Sequence, residues 1–304
     1  SWNTDIADGV LHLLYSVLST LGDGAETDCK SAEHMLLESR AAELICEALH
    51  ACATKPVSSA LCLFQEAQRV APMPFMSQVI SKGWVDIVCA LSKQTDAVAL
   101  KALETLFFMT LIGDGRKLDG RPISPDKHDS HSREPNHIAG ALIDSGLTET
   151  LLSQAHVRAL GCAKGAVMAL EALENLTRIK TCRELISQNV ANACANGFGK
   201  DIAHADILMD LFLHCDNPDV ASGAAACIAH MGWVCQANRP YVQGLKPLVQ
   251  VFAQRVGHWC QIALENSWAY GDMFPVQEGT DEHWQRYRLF SRALWAFSQN
   301  LHWY

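Results

Sequence analysis

The chain has 304 residues, 49 % apolar and 19 % charged. That balance excludes a disordered segment, and the length exceeds one compact core, leaving two domains or one elongated repeat array. Its 33 acidic and 24 basic side chains leave a net charge of −9, which weighs against nucleic acid or an anionic lipid surface as the main partner and fits basic peptides or basic protein faces.

No run of eighteen apolar residues is uninterrupted, and the nearest, Ala97 to Ile112, contains Lys101 and Glu104, so no membrane span is expected. The twelve cysteines run from Cys29 to Cys260 with no Cys-x-x-Cys pair. Most sit in apolar runs, as Cys46, Cys62, Cys89, Cys162 and Cys227 do, and read as small buried hydrophobes of a reducing, cytoplasmic or nucleocytoplasmic compartment. The Asn-Leu-Thr sequon at Asn175 lies inside a strongly helical segment, where a glycan has no room. The chain begins at Ser1 without methionine or a signal-peptide pattern and reads as a fragment or a processed chain.

In chain order, one unit recurs: an apolar pair, a turn position four residues after its first member, then a new helix. The pairs are Leu36-Leu37, Val79-Ile80, Leu142-Ile143 and Leu185-Ile186, with turns at Arg40, Gly83, Gly146 and Asn189, at intervals of 43, 63 and 43 residues. A fifth copy, Tyr241-Val242 before Gly244, is slipped by one. Gly and Asn tolerate the left-handed conformation that ends a helix, which suits them to these turns. After the turns, Leu44, Ile45 and Ala48, then Ile87, Val88 and Leu91, then Leu248, Val249 and Phe252 recur at helical spacing. The long interval is 43 plus 20, and the excess falls in 113–137, rich in Gly and Pro and poor in apolar residues, which reads as a mobile surface insertion. Sustained alternation of period two is absent, which argues against a Rossmann or barrel enzyme.

A period near 43 with three helices per unit, whose faces are buried only by stacking, resembles the armadillo repeats. The resemblance extends to a third-helix pattern like Ala-Leu-Trp-Ala-Leu-Ser-Asn-Leu, whose Trp and Asn line the concave groove in that family. Ala169-Leu170-Glu171-Ala172-Leu173-Glu174-Asn175-Leu176 is similar to it, with Glu171 at the Trp position. Ala263-Leu264-Glu265-Asn266 has Ile262 there, and Ala293-Leu294-Trp295-Ala296-Phe297-Ser298-Gln299 keeps the Trp and places Gln299 at the Asn position. Less faithful copies place Thr105 and His230 at that position. No copy retains both groove residues, so the groove chemistry departs from the peptide-binding ladder.

The resemblance implies an all-α fold, a right-handed α-solenoid (superhelix) of about six armadillo-like repeats. It spans residues 1–304 as one solenoid, with the inserted loop at 113–137 and an aromatic-rich capping repeat at 257–304. Its implied function is that of a protein-interaction scaffold or adaptor, holding a protein or an extended, basic peptide along the concave face, alone or as a subunit of a larger assembly. Candidate partner-binding residues are Lys101, Thr105, Lys164, Glu171, Asn175, His230, Asn266, Trp295 and Gln299. On the helix around Asn175, residues Lys164, Met168, Glu171 and Asn175 fall on one line at spacings of four, three and four, opposite Ala166, Leu170 and Leu173.

Other clusters are weaker. His128, His131 and His137, with Asp126 and Asp129, have metal-ligand composition, but their spacing matches no ligand frame, and a regulatory solenoid with a small ligand or metal near this loop is the alternative reading. Asp206, Asp210 and His214 recur every four residues on a helix spanning 201–214, whose other face of Ile207, Leu208, Leu211 and Cys215 is that of an ordinary amphipathic helix. No catalytic motif accompanies them, so no enzyme, no cofactor and no resident metal are expected. The C-terminal aromatics, Trp259 to Tyr304, read as a cap closing the core, with Trp284 and Trp303 suggesting partner contacts.

Overall fold

The computed structural model describes residues 4–22, 31, 34, 36, 41–50, 54–94, 97–116, 135–179, 182, 186, 204–231, 254 and 257. The turns expected at Arg40, Asn189 and Gly244, and the cap expected at 257–304 beyond Gly257, lie outside these residues. Every regular element among the described residues is an α-helix, and none is long and apolar enough to cross a membrane. The chain divides into two compact units, Ser1–Leu151 and Leu152–Tyr304.

The first unit contains α1 (Thr4–Gly22), α2 (Ala41–His50), α3 (Thr54–Val70), α4 (Pro72–Ser81), α5 (Trp84–Ser92), α6 (Ala97–Gly113), α7 (Pro135–Asp144) and the start of α8 (Leu147–Ala159). The order is two short helices and one long: α4 and α5 have 10 and 9 residues, α6 has 17. The long helices lie side by side in chain order, α1 on α3 and α3 on α6, while α2 packs on α3, α5 on α6, and α4 on α7. An inner long helix is therefore covered on two sides, and its sequence must be apolar on both. In α3, Val57, Ala60, Leu61, Leu63, Phe64 and Ala67 are all buried, and in α6 Val98, Ala102, Leu103, Leu106, Met109 and Ile112 are too. Phe64 of α3 meets Phe75 of α4 edge to face, centroids 4.9 Å apart at 76°, joining one repeat to the next.

The turn glycines behave as the repeat pattern expects. Gly83 and Gly146 take φ values of 68° and 76°, each immediately before the helix that follows, and their amides close the preceding turn by donating to Ile80 O at 3.1 Å and Ile143 O at 2.9 Å.

The inserted stretch is shorter than its composition suggests. Gly113 is the last residue of α6 and is buried; a Cβ there would lie 3.2 Å from Ala139 Cβ of α7, so glycine serves a close helix approach rather than a loop. Pro135 opens α7, where a missing amide costs nothing because the first helical N–H groups have no partner in any case. His137 is thereby an exposed residue of the first turn of α7 rather than part of the loop, whereas Asp126, His128, Asp129 and His131 lie outside the described residues.

The second unit continues with α9 (Ala163–Arg178), α10 (His204–His214) and α11 (Pro218–Met231). α11 packs against both α9 and α10. Its small residues Ala221, Ala224, Ala225 and Cys227 are buried, and a Cβ on Gly223 would come within 3.1 Å of Leu170 Cβ, so α9 and α11 meet almost backbone to backbone. Asn217 caps α11, its Oδ1 accepting from the amides of Asp219 (3.0 Å) and Val220 (3.2 Å).

Two glycines of the first unit should respond to alanine with opposite sign. Gly83→Ala forces a side chain into left-handed backbone and should cost about 1 kcal/mol, whereas Gly140→Ala, inside α7, should gain about 0.5–1 kcal/mol; at Gly140 a Cβ meets nothing within 4 Å. Urea denaturation of both variants reads the difference.

Candidate partner-binding face

The long helices bury two sides, so their polar side chains collect along what remains. In the first unit these residues are tied to one another. Gln65 of α3 reaches α6, its Nε2 donating to Thr105 Oγ1 at 3.0 Å, Glu104 Oε2 at 3.2 Å and Lys101 O at 3.4 Å. Lys101 Nζ pairs with Glu104 Oε2 at 2.9 Å, and the Thr105 hydroxyl donates back to Lys101 O at 2.9 Å. Glu66, buried next to Gln65, holds Arg69 through Nη2 at 2.5 Å, and Arg69 also donates to Ser19 O of α1 at 3.4 Å. Of the two expected contact residues here, Lys101 is half-buried at the polar edge, while Thr105 is fully buried as the acceptor of the Gln65 bond.

The second unit repeats the arrangement. Glu174 of α9, largely buried, receives Arg178 Nη2 at 2.7 Å one turn on, and His230 Nε2 of α11 lies 3.6 Å from the same Oε1. On the expected line along α9, Lys164 and Glu171 are exposed, Met168 is half-buried, and Asn175 is only 4 % exposed. Its amide thus sits under the face rather than on it. Ala166, Leu170, Leu173 and Leu176 are buried, as the spacing requires. Asn266, Trp295 and Gln299 lie outside the described residues.

The residues that the sequence pattern left out are Gln65, Glu66, Glu104 and Glu174. A signal for them exists: Ala60-Leu61-Cys62-Leu63-Phe64-Gln65-Glu66 aligns with Ala169-Leu170-Glu171-Ala172-Leu173-Glu174-Asn175, so Gln65 and Glu174 hold one position and Glu66 and Asn175 the next.

Of the Asp206, Asp210 and His214 set on α10, the Asp206 side chain lies outside the described residues. Asp210 Oδ2 lies 3.9 Å from His156 Nδ1 of α8, both about two-fifths exposed, a distance too long for a hydrogen bond. Leu208 and Leu211 are buried while His214 is exposed, which is the ordinary amphipathic pattern. No group of three His, Cys, Asp or Glu side chains fit to hold a metal occurs among the described residues.

Six cysteines are described as free thiols, of which Cys89, Cys182 and Cys227 are buried. Burial pushes the Cys89 thiol up to about 11, against a hydrogen bond with Thr150 that pulls it down. Burial, reinforced by the Glu174 carboxylate, holds Cys227 well above the ordinary thiol range.

Solved structures share this fold. An engineered protein determined by the Northeast Structural Genomics Consortium superposes with a TM-score of 0.59 at 16 % identity, covering 99 % of this chain and 93 % of that one. A designed armadillo repeat protein in complex with the peptide (KR)4 gives 0.56 at 14 % identity over 93 % and 91 % of the two chains. Computationally designed armadillo repeat proteins for modular peptide recognition give 0.51 at 15 % identity over 93 % and 99 %. No protein-family model matches the sequence, and no curated protein matches it. At these identities the likeness shows the fold: the chain is an all-α solenoid of armadillo-like repeats.

Two measurements test the buried chemistry of this face. Arg178→Met leaves Glu174 largely buried without its guanidinium and should cost about 2 kcal/mol, discounted for the quarter-exposed arginine; chemical denaturation reads it. Because Cys89 stays protonated in the fold above the pH at which it ionises in the unfolded chain, the stability it lends is complete below about pH 9 and is lost as the pH rises toward 11, and Cys227, raised in the same direction by burial, acts with the same sign. In native protein at pH 8, iodoacetamide should therefore spare both until the chain is unfolded, a pattern read by mass spectrometry.

Proposed function

We propose that the chain is a protein-binding scaffold without catalytic activity, holding an extended segment of a partner along the face formed by the third helices of successive repeats. The observation that carries this reading is α9: a long helix packed on α11, with Leu170, Leu173 and Leu176 buried, that still leaves Lys164 and Glu171 exposed along one edge. Charged side chains held on a rigid helix in a fixed line can read a peptide whose own side chains recur at regular spacing. The solved neighbours include designed armadillo repeat proteins for modular peptide recognition and one in complex with (KR)4, and the net charge of −9 favours a basic segment here as well. Lys101, half-buried on α6, holds the corresponding edge within the first unit. Thr105 acts from beneath, tying α6 to Gln65 of α3, Asn175 lies buried under the α9 edge, and His230 adds an imidazole beside Glu174. By their positions in the sequence repeat, Asn266, Trp295 and Gln299 are assigned to the same role. Twelve cysteines without a Cys-x-x-Cys pair support a reducing compartment for this scaffold.

Selection of extended peptides from a random displayed library on the immobilised 304-residue protein supplies probes for the test. Fluorescence anisotropy of the selected peptides should give at least a tenfold weaker Kd for the double variant Lys164→Glu, Glu171→Arg, both sites being exposed and tolerant of substitution. Equal affinity for wild type and variant would remove α9 from the binding face and sink the proposal.

A further inference from the structure

Two adjacent positions recur in the long helices, and the same link joins them in both units. Ala99-Leu100-Lys101-Ala102-Leu103-Glu104-Thr105-Leu106 of α6 aligns with Ala169-Leu170-Glu171-Ala172-Leu173-Glu174-Asn175-Leu176 of α9, identical at six of the eight positions. Residues 60–67 of α3 and 224–231 of α11 fall in the same frame. Each long helix then has a first position, Gln65, Glu104, Glu174 or Ala229, and a second one after it, Glu66, Thr105, Asn175 or His230. Within each unit, a first position of one long helix reaches the second position of the long helix packed on it. Gln65 of α3 donates to Thr105 of α6 at 3.0 Å, and Glu174 of α9 faces His230 of α11 at 3.6 Å. Where α3 meets α1, its second-position Glu66 holds Arg69, which donates to Ser19 O of α1 at 3.4 Å.

The positions persist while the chemistry changes. One link is amide to hydroxyl, the next carboxylate to imidazole, and the third runs from a carboxylate through a guanidinium to a backbone carbonyl. What is kept is that the two members of each link suit one another. Stacked repeats have a use for such matching. Their apolar faces are alike, with Ala or Leu at equivalent places in α6 and α9, and burial of apolar surface has no direction of its own. A polar link does have direction. Sliding one helix by a single residue moves its side chains by about 1.5 Å and turns them by about 100°, which pulls Gln65 and Glu174 away from these partners. Both are less than one-tenth exposed, so a polar end withdrawn from its partner in the stack is penalised more than the bond itself contributes.

We propose that these two positions form a polar rung, matched pair by pair, that keys consecutive long helices into a single register, whatever partner the face binds. Gln65–Thr105 and Glu174–His230 are the rungs of the two units. Peptide-resolved hydrogen exchange on the 304-residue protein reads each rung locally, with the other unit as internal reference. Gln65→Met and Thr105→Val should each lower the protection of α6 amides by about fivefold, and the double variant should fall no further than the worse single, because both members of the rung then leave together. In the second unit, His230→Glu sets a second carboxylate against Glu174, whose guanidinium partner is already engaged, and should lower α11 protection by about fivefold. Adding Glu174→Gln supplies an amide that donates to the new carboxylate, in the direction used by Gln65, and should bring α11 back to within about twofold of wild type. Losses that add in the first unit overturn the proposal. A Glu174→Gln change that fails to rescue His230→Glu overturns it equally, and because His230 is a quarter exposed this second set decides the matter if the variants at fully buried Thr105 do not fold.

Discussion

The structure depends on one packing constraint: a long helix within the stack is covered on two sides at once. α3 meets both α1 and α6, and it answers by burying Val57, Ala60, Leu61, Leu63, Phe64 and Ala67. Each such side chain taken out of water contributes about 1.5–3 kcal/mol before the entropy of ordering is subtracted. The Phe64–Phe75 contact turns this from a property of one helix into a link between repeats. Polar residues are left with a narrow arc, and whatever the protein presents to a partner along these helices must come from it.

Within that arc, the side chains divide into those that hold and those that reach out. Gln65 bonds across to α6 at Glu104 and Thr105, and Glu174 is clasped by Arg178 with His230 close by. These bonds satisfy groups that burial would otherwise penalise, and they fix the rotation of each helix about its axis. Lys164 and Glu171 remain exposed, so the orientation of the exposed pair is set by the buried one. A contact made through side chains carried on a helix fixed in this way need not pay to order that helix.

Much of this was legible in the sequence, for identifiable reasons. The turns at Gly83 and Gly146 could be read because left-handed backbone leaves few residue choices. The inward face of α9 could be read because 3.6-residue periodicity fixes which side chains share a side. The limits of the insertion could not: Gly113 and Pro135 look like loop residues, yet one is required by the approach of Ala139 and the other is a good first residue for a helix. The depth of Asn175 was equally hidden, because helical spacing gives the direction of a side chain but not how far the neighbouring helix rises over it. The small residues of α11, Gly223 above all, bring that helix close.

The contact of Gly113 with Ala139 bears on how much sequence the junction between α6 and α7 can carry. It clamps α6 to α7 at both borders of the intervening stretch, so the stacking register is set by the helices and is indifferent to what is threaded between them. Lengthening a stretch whose ends are already held costs only about 0.6 kcal/mol for each doubling. A repeat interval can thus run to 63 residues rather than 43 with α6 and α7 still packed on each other, and this junction is where engineered sequence can be added without rebuilding the core.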